Sequence, residues 1–327
     1  MNEMNDHPGH TSPDDRQSPL QPPDDRRPPR PQRTIRDTVV FTKPDTYDSL
    51  EIKNIPLPDF RELSALIARN FGIKVGENKI TLVTGRVHPL MEKYGFNTHR
   101  DFIEAIKRDS TGELLSELAN RISTNHTAFY REEMHFKLMA ETVLPALTAS
   151  KTETGNRDLR IWCAAAATGE EAYTILFTLL KYFNIDYSNW RAGVLATDIS
   201  AAALETAKKG VYSAQRLDPV PPDVKFLCFD RLDEDNYEVK PEYRQEITFR
   251  RLNLINENYP FRQPFDIIFC RNVMIYFSRH IRTLLLERLQ NWLVPGGYLF
   301  IGHSESLVGV QKGYEYVAPA VYRRSVR

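Results

Sequence analysis

The sequence predicts a small all-α domain followed by an open α/β sheet with an inserted, smaller antiparallel β-subdomain. Three observations predict it. Apolar residues recur at three- and four-residue steps from Phe60 to Ile122, with no strand between them. From Leu159 the rhythm changes: Leu159-Arg160-Ile161-Trp162-Cys163 reads as a strand, Ala164–Gly169 as a turn of small residues, and Glu171–Leu180 as a buried helix. Between Gly210 and Asn253 that rhythm stops, and short β-like runs (Lys225–Phe229, Tyr237–Val239 and Ile247–Leu252) alternate with Pro and charged turns.

The chain of 327 residues is long enough for two domains with sizeable cores. Basic and acidic residues balance at 43 each, so no global field points to nucleic acid or to a membrane surface. Cys163, Cys228 and Cys270 are too scattered for a disulfide framework or a zinc site. No apolar run reaches the ~20 residues that span a bilayer, and the N-terminus has no apolar signal core. These features together lead us to expect a cytoplasmic protein.

Residues 1–44 are expected to be a disordered tail. Pro22-Pro23-Asp24-Asp25-Arg26-Arg27-Pro28-Pro29-Arg30-Pro31 typifies it. Such composition buries too little apolar area to offset the entropy of ordering. A polyproline ligand for a partner is the alternative reading.

Residues 45–125 form the expected all-α domain. Phe60, Leu63, Leu66, Ile67 and Phe71 mark one helix, ended by Gly72 and Gly76. Ile80 to Tyr94 marks a second, Phe102 to Ile106 a third, and Leu114 to Ile122 a fourth. From Arg69 to Arg108 there are eight bases against four acids. A solvated face explains that excess; a docking surface for an acidic helical partner, using Lys79 and Arg86, is the sharper reading.

Residues 126–157 are expected to be a linker helix and loop, and 158–327 the α/β domain, with the β-subdomain at about 211–252. Ser123 to Arg131 gathers amide, hydroxyl and guanidinium donors at the domain junction, a preferred place for a ligand pocket. His126 has no spaced second ligand, so no metal is expected there. Glu170 and Glu171 open the helix after the first strand and would repel a pyrophosphate. They suit a ligand carrying an ammonium and a sulfonium, such as S-adenosylmethionine, or simply complement the helix dipole. Asp198 ends the second strand, where an acid accepts from ribose hydroxyls; it could equally cap the next helix, although Ser200 can supply that cap. The sheet then continues through Phe265–Cys270 and Tyr298–Gly302, and Tyr314–Arg323 closes it.

Five motifs now carry a resemblance. Asn125-His126-Thr127-Ala128-Phe129-Tyr130-Arg131, Ala164–Glu171, Ala196-Thr197-Asp198-Ile199, Phe265–Phe277, and Pro295-Gly296-Gly297 with Gly302-His303-Ser304-Glu305 occur in order from Phe60 to Tyr322. In this the chain resembles the bacterial chemotaxis receptor glutamate methyltransferases of the CheR type. The resemblance implies a Rossmann-like S-adenosylmethionine-dependent methyltransferase fold. It implies that Asn125, Thr127, Arg131, Glu170, Asp198, Asn253, Leu254, Arg271 and Asn272 bind the cofactor, and that Tyr276 is the active-site tyrosine. Arg271 or Tyr276 would hold the incoming carboxylate; Tyr276 packing under the sheet is the alternative. The product would be S-adenosylhomocysteine, with no metal, and the partners the cytoplasmic methylation helices of chemoreceptors, met by a monomer without nucleic acid or membrane insertion. His126 and Tyr130 depart from the family pattern. So does Arg86-Val87-His88-Pro89-Leu90-Met91-Glu92-Lys93, where some relatives carry a dense Arg run. The turn Asp230 to Asn236 holds four acids and no Gly, which leads us to expect methylation without a pentapeptide tether. A methyltransferase of another substrate class, or a cofactor-binding module without activity, are the alternatives.

Overall fold

The computed structural model describes residues 54–307 and 313–326; the predicted tail, 1–44, lies outside them. Four helices open the described chain: α1 (Leu57–Phe71), α2 (Ile80–Tyr94), α3 (His99–Arg108) and α4 (Glu113–Ile122). Their apolar stripes meet in one core that includes Phe60, Leu63, Ile67, Val87, Leu90, Phe102, Ile103 and Leu118. Thr98 caps α3 by accepting from the Asp101 N–H at 3.1 Å. Gly72 ends α1 at φ +72° and presses on the second domain: a Cβ there would stand 2.6 Å from Ile255 Cγ2.

A connecting helix follows. α5 (Met134–Leu138) passes through a π-turn, Met139–Val143, into α6 (Leu144–Glu153). Pro145 has no N–H to donate, and the ladder widens just before it.

The main sheet has seven strands: β1 (Asp158–Cys163), β2 (Arg191–Asp198), β6 (Ile247–Arg251), β7 (Phe265–Cys270), β8 (Leu293–Ile301), β9 (Tyr314–Ala318) and β10 (Val321–Arg324), in the order β6-β2-β1-β7-β8-β10-β9. The first five run parallel, and β10 is antiparallel to β8 and β9. Every residue of β7 is buried. Its side chains alternate between two cores: Ile267 and Phe269 join the one with α7 (Glu170–Phe183), while Ile268 and Cys270 join the one with α11 (Arg279–Asn291). α8 (Ala201–Lys209) leads from β2 into the insertion, where β3 (Val211–Ser213), β5 (Asn236–Val239) and β4 (Phe229–Arg231) form a separate antiparallel sheet in the order β3-β5-β4. Two short helices, α9 (Pro222–Cys228) and α10 (Pro241–Arg244), complete it.

Two sequence-based assignments change here. Ile247–Leu252, grouped above with the inserted strands, supplies the edge strand of the main sheet and pairs in parallel with β2 from Val194↔Ile247 to Asp198↔Arg251. The insertion lies inside one crossover, so the strand after it returns to the parallel sheet. Lys225–Phe229, read as β-like, is mostly helix α9, begun by Pro222 at its first turn.

Candidate functional site

The carboxyl ends of β1, β2 and β7 face the helical domain across a cleft. At its floor the chain leaves β1 through Ala164–Gly169. Ala167 and Gly169 take positive φ, +46° and +99°. A Cβ on Gly169 would meet Ala207 Cβ at 2.8 Å and the Tyr212 hydroxyl at 2.9 Å, so only Gly lets α7 start this close to α8 and β3. Small residues Ala164, Ala165 and Ala167 then line the cleft and leave room against the backbone.

Asp198 is buried at the end of β2. Its Oδ2 accepts from Ala167 N–H at 2.9 Å and its Oδ1 from Ser200 N–H at 2.8 Å. Burial holds its pKa above the ordinary carboxylate range despite those donors. Ser200 is the residue that caps α8, accepting from Ala203 N–H at 3.1 Å. Asp198 thus ties two loops together and still lines the cleft.

The two glutamates at the start of α7 separate. Neighbouring helical residues point about 100° apart, so only one can face the cleft. That one is Glu171. Glu170, expected at the cofactor, is turned away and fully buried: Thr168 Oγ1 donates to it at 2.7 Å and Arg216 pairs with it at 2.9 Å.

Arg271 follows β7 and lines the cleft, as expected of a cofactor-side residue, but it is buried and most of its guanidinium is engaged by protein acceptors, which leaves little of it for an incoming carboxylate. It donates to Glu171 Oε2 at 2.6 Å, to Glu132 Oε2 at 2.9 Å and to the Arg131 carbonyl at 2.5 Å, while Nε has no partner. Two carboxylates against one guanidinium leave a surplus negative charge beside the cleft. Burial works against the Glu132 carboxylate, but Arg271 and Asn272 outweigh it and hold its pKa down.

The junction segment is pinned by Phe129, buried against Tyr212, Phe229 and Phe177. Tyr130 and Glu132 sit at φ +54° and +57°, strained for residues with side chains, which aims Arg131 at the cleft and Glu132 at Arg271. Asn125, Thr127 and Arg131 line the cleft, and Arg131 Nη1 donates to the His126 carbonyl at 2.9 Å. On the opposite wall Asn253 Nδ2 donates to the Asn70 carbonyl at 2.7 Å, tying the domains together next to Leu254. Asn272, at φ +55°, and Tyr276 complete the lining; the Tyr276 side chain is half-buried, with no hydrogen-bond partner among the described residues.

Sequence reasoning missed Glu132 and Glu305. The Glu305 carboxylate is buried and accepts from Gly302 N–H at 2.7 Å, Asn272 N–H at 3.1 Å and Ile275 N–H at 3.2 Å. It fastens the loop that carries Asn272 and Tyr276 without lining the cleft itself. Its motif was visible, but two of its three partners lie 30 and 33 residues away. Arg86 is likewise occupied elsewhere: it donates to the Ile122 carbonyl at 2.7 Å and so steadies the junction, whereas Lys79 is exposed.

Family models for "CheR methyltransferase, all-alpha domain" match residues 58–123, and for "CheR methyltransferase, SAM binding domain" residues 125–322. A chemotaxis protein methyltransferase of Borreliella burgdorferi is 37% identical over 272 residues, 83% of this chain and 96% of that protein. Chemotaxis protein methyltransferase 2 of Pseudomonas aeruginosa is 34% identical over 267 residues, 81% of this chain and 92% of its own length.

Proposed function

We propose a reaction from one premise: the chain belongs to the CheR methyltransferase family. Its cofactor is S-adenosylmethionine and it is a methyltransferase of the chemotaxis class. The cleft suits that cofactor chemically. Asp198 offers a buried acceptor to ribose hydroxyls, and the negative surplus at Glu171, Glu132 and Arg271 suits a ligand bearing an ammonium and a sulfonium. Asn125, Thr127, Arg131, Asn253, Leu254 and Asn272 are proposed to complete its binding surface, with Glu171 in the place first given to Glu170.

We infer that the acceptor is a glutamate side chain of a chemoreceptor, converted to a γ-glutamyl methyl ester. The bound cofactor supplies a methyl group on a sulfonium, which leaves as the neutral thioether of S-adenosylhomocysteine. A glutamate carboxylate, with a reference pKa of about 4.3, is already ionised near neutral pH, so no protein group need remove a proton. The residues here act by positioning, which supplies roughly 7–11 kcal/mol where alignment is good. Tyr276, whose hydroxyl has no hydrogen-bond partner among the described residues, is proposed to donate to the incoming carboxylate. Arg271 acts one step back by holding Glu171 in line with the cleft. The observation that carries this reading is the cleft itself, lined by the buried carboxylates of Asp198 and Glu171 and by Tyr276.

Lys79, with Arg69 and Lys74, gives the helical domain exposed cations without an acidic partner among the described residues, and this is the proposed receptor-docking face. Lys79→Glu should slow receptor methylation and leave cofactor affinity unchanged; loss of both would point to misfolding. The turn between β4 and β5 supports tether-free recognition. Asp233 closes it by accepting from Asp235 and Asn236 N–H at 2.8 Å each, leaving Asp230, Glu234 and Asp235 exposed against an acidic peptide. Phe226 and Leu227, exposed on α9 nearby, are the features a tether would use. Incubation with methyl-labelled cofactor and a chemoreceptor-containing membrane fraction tests the reaction: base-labile methyl on the receptor is expected, and label confined to RNA or small molecules would overturn it.

A further inference from the structure

Next to Arg271, and outside the residues that line the cleft, three side chains with metal-binding donors converge. Glu132 and His135 stand three residues apart at the entry to α5, and His303 follows the end of β8. One donor atom from each, a carboxylate oxygen and two ring nitrogens, lie within 4.8 Å of one another. His135 Nδ1 is 3.5 Å from Glu132 Oε2, and the two imidazoles meet edge to face with centroids 4.6 Å apart.

A second observation points independently to a ligand. His135 is only 2% exposed, yet among the described residues neither of its ring nitrogens makes a hydrogen bond of good geometry. Leaving a buried polar group unpaired is costly; in either tautomer one ring nitrogen of a neutral His135 keeps a lone pair, and Glu132 Oε2 lies 3.5 Å from Nδ1. A cation between the two would answer both. The charge balance agrees, because Glu171 and Glu132 already outnumber Arg271.

We propose that Glu132, His135 and His303 form a binding site for one divalent transition-metal ion of the zinc class. Two imidazoles and a carboxylate are a zinc-type ligand set that leaves a fourth position open; magnesium, which prefers oxygen ligands and retains its water, does not suit it. Bonds of about 2.0–2.2 Å require the donors to close by roughly 1 Å. His303 is exposed and can make that movement. Arg271 shares Glu132 Oε2 at 2.9 Å, so the ion must compete with a guanidinium for one of its ligands. His126, the histidine that stood out in the sequence, lies on the cleft and takes no part.

The test uses the full chain, freed of any histidine tag, titrated calorimetrically with zinc chloride and separately with magnesium chloride. One saturable zinc site per chain is expected, with no magnesium binding, and at least about tenfold weaker zinc binding in His303→Ala. His303 is exposed, so that variant should keep the wild-type melting curve. Absence of saturable zinc binding in the wild type, or equal zinc affinity in His303→Ala, overturns the proposal. Cobalt substitution gives a second readout: a visible ligand-field band is expected in the wild type and lost in His303→Ala, and a band retained in both overturns it.

Discussion

Two ion networks in this molecule look alike as lists of contacts and differ in what they do. On the helical domain Glu62 pairs with Arg100 and Lys107, and Lys107 also pairs with Glu104; all are substantially solvated. Beside the cleft Arg271 holds Glu171 and Glu132 with its own side chain 1% exposed. Water reaches every partner in the first network, and in the second it barely reaches the guanidinium. Exposed pairs therefore contribute little, while breaking a buried one leaves a charge that nothing compensates. The number of ion pairs in a domain says little about which of them the fold depends on.

The comparison is broken most directly at its strong end. Arg271→Met should destabilise the chain by about 3–5 kcal/mol in chemical denaturation, since the buried Glu171 and the largely enclosed Glu132 lose the cation they share. A loss below about 1 kcal/mol would place both networks in the same class. Next comes Asp198→Ala, expected to weaken cofactor binding by about 1–3 kcal/mol by calorimetry. Because burial raises the Asp198 pKa, the ionised form needed for ribose contacts is present above that raised value and lost as pH falls through it. Wild-type affinity should therefore decline on acidification at a higher pH than an ordinary aspartate would give, and Asp198→Asn should be weak and flat over the same range.

Glu305→Gln sharpens the contrast between holding a loop and holding a ligand. It removes charge from the acceptor of three backbone N–H groups, so turnover should fall about tenfold, about 1.4 kcal/mol in the barrier. The cofactor dissociation constant should move much less, because Glu305 does not line the cleft; an equal loss in both would make it a cofactor contact instead. The smallest effect is expected at the weak end: Glu62→Ala should leave the denaturation midpoint unchanged within error.

Much of this was legible in the sequence where a period or a short motif sufficed. Phe60, Leu63 and Ile67 gave α1 its buried stripe, and Phe265–Cys270 announced a strand buried on both faces. The site was legible residue by residue where the chain itself places a side chain at a strand end, as at Asp198. It was not legible where position depends on rotation or on distant partners. Glu170 and Glu171 are adjacent and chemically alike, and only the phase of α7 sends one to the cleft and the other to Arg216. Arg86 read as a free base because its acceptor, the Ile122 carbonyl, is a backbone atom 36 residues on. Glu132 acquired its role from Arg271, 139 residues away.

The loop bearing Tyr276 is hydrogen-bonded to the helical domain through main chain: Lys74 N–H donates to the Tyr276 carbonyl at 2.9 Å, and Ile73 bridges Phe277 in antiparallel fashion. The tyrosine is thereby anchored to the domain proposed to meet the receptor. A push on the segment after α1 would reach the tyrosine backbone directly, as load passes along a stitched seam. Alanine scanning, which leaves every amide in place, would pass over that seam without registering it.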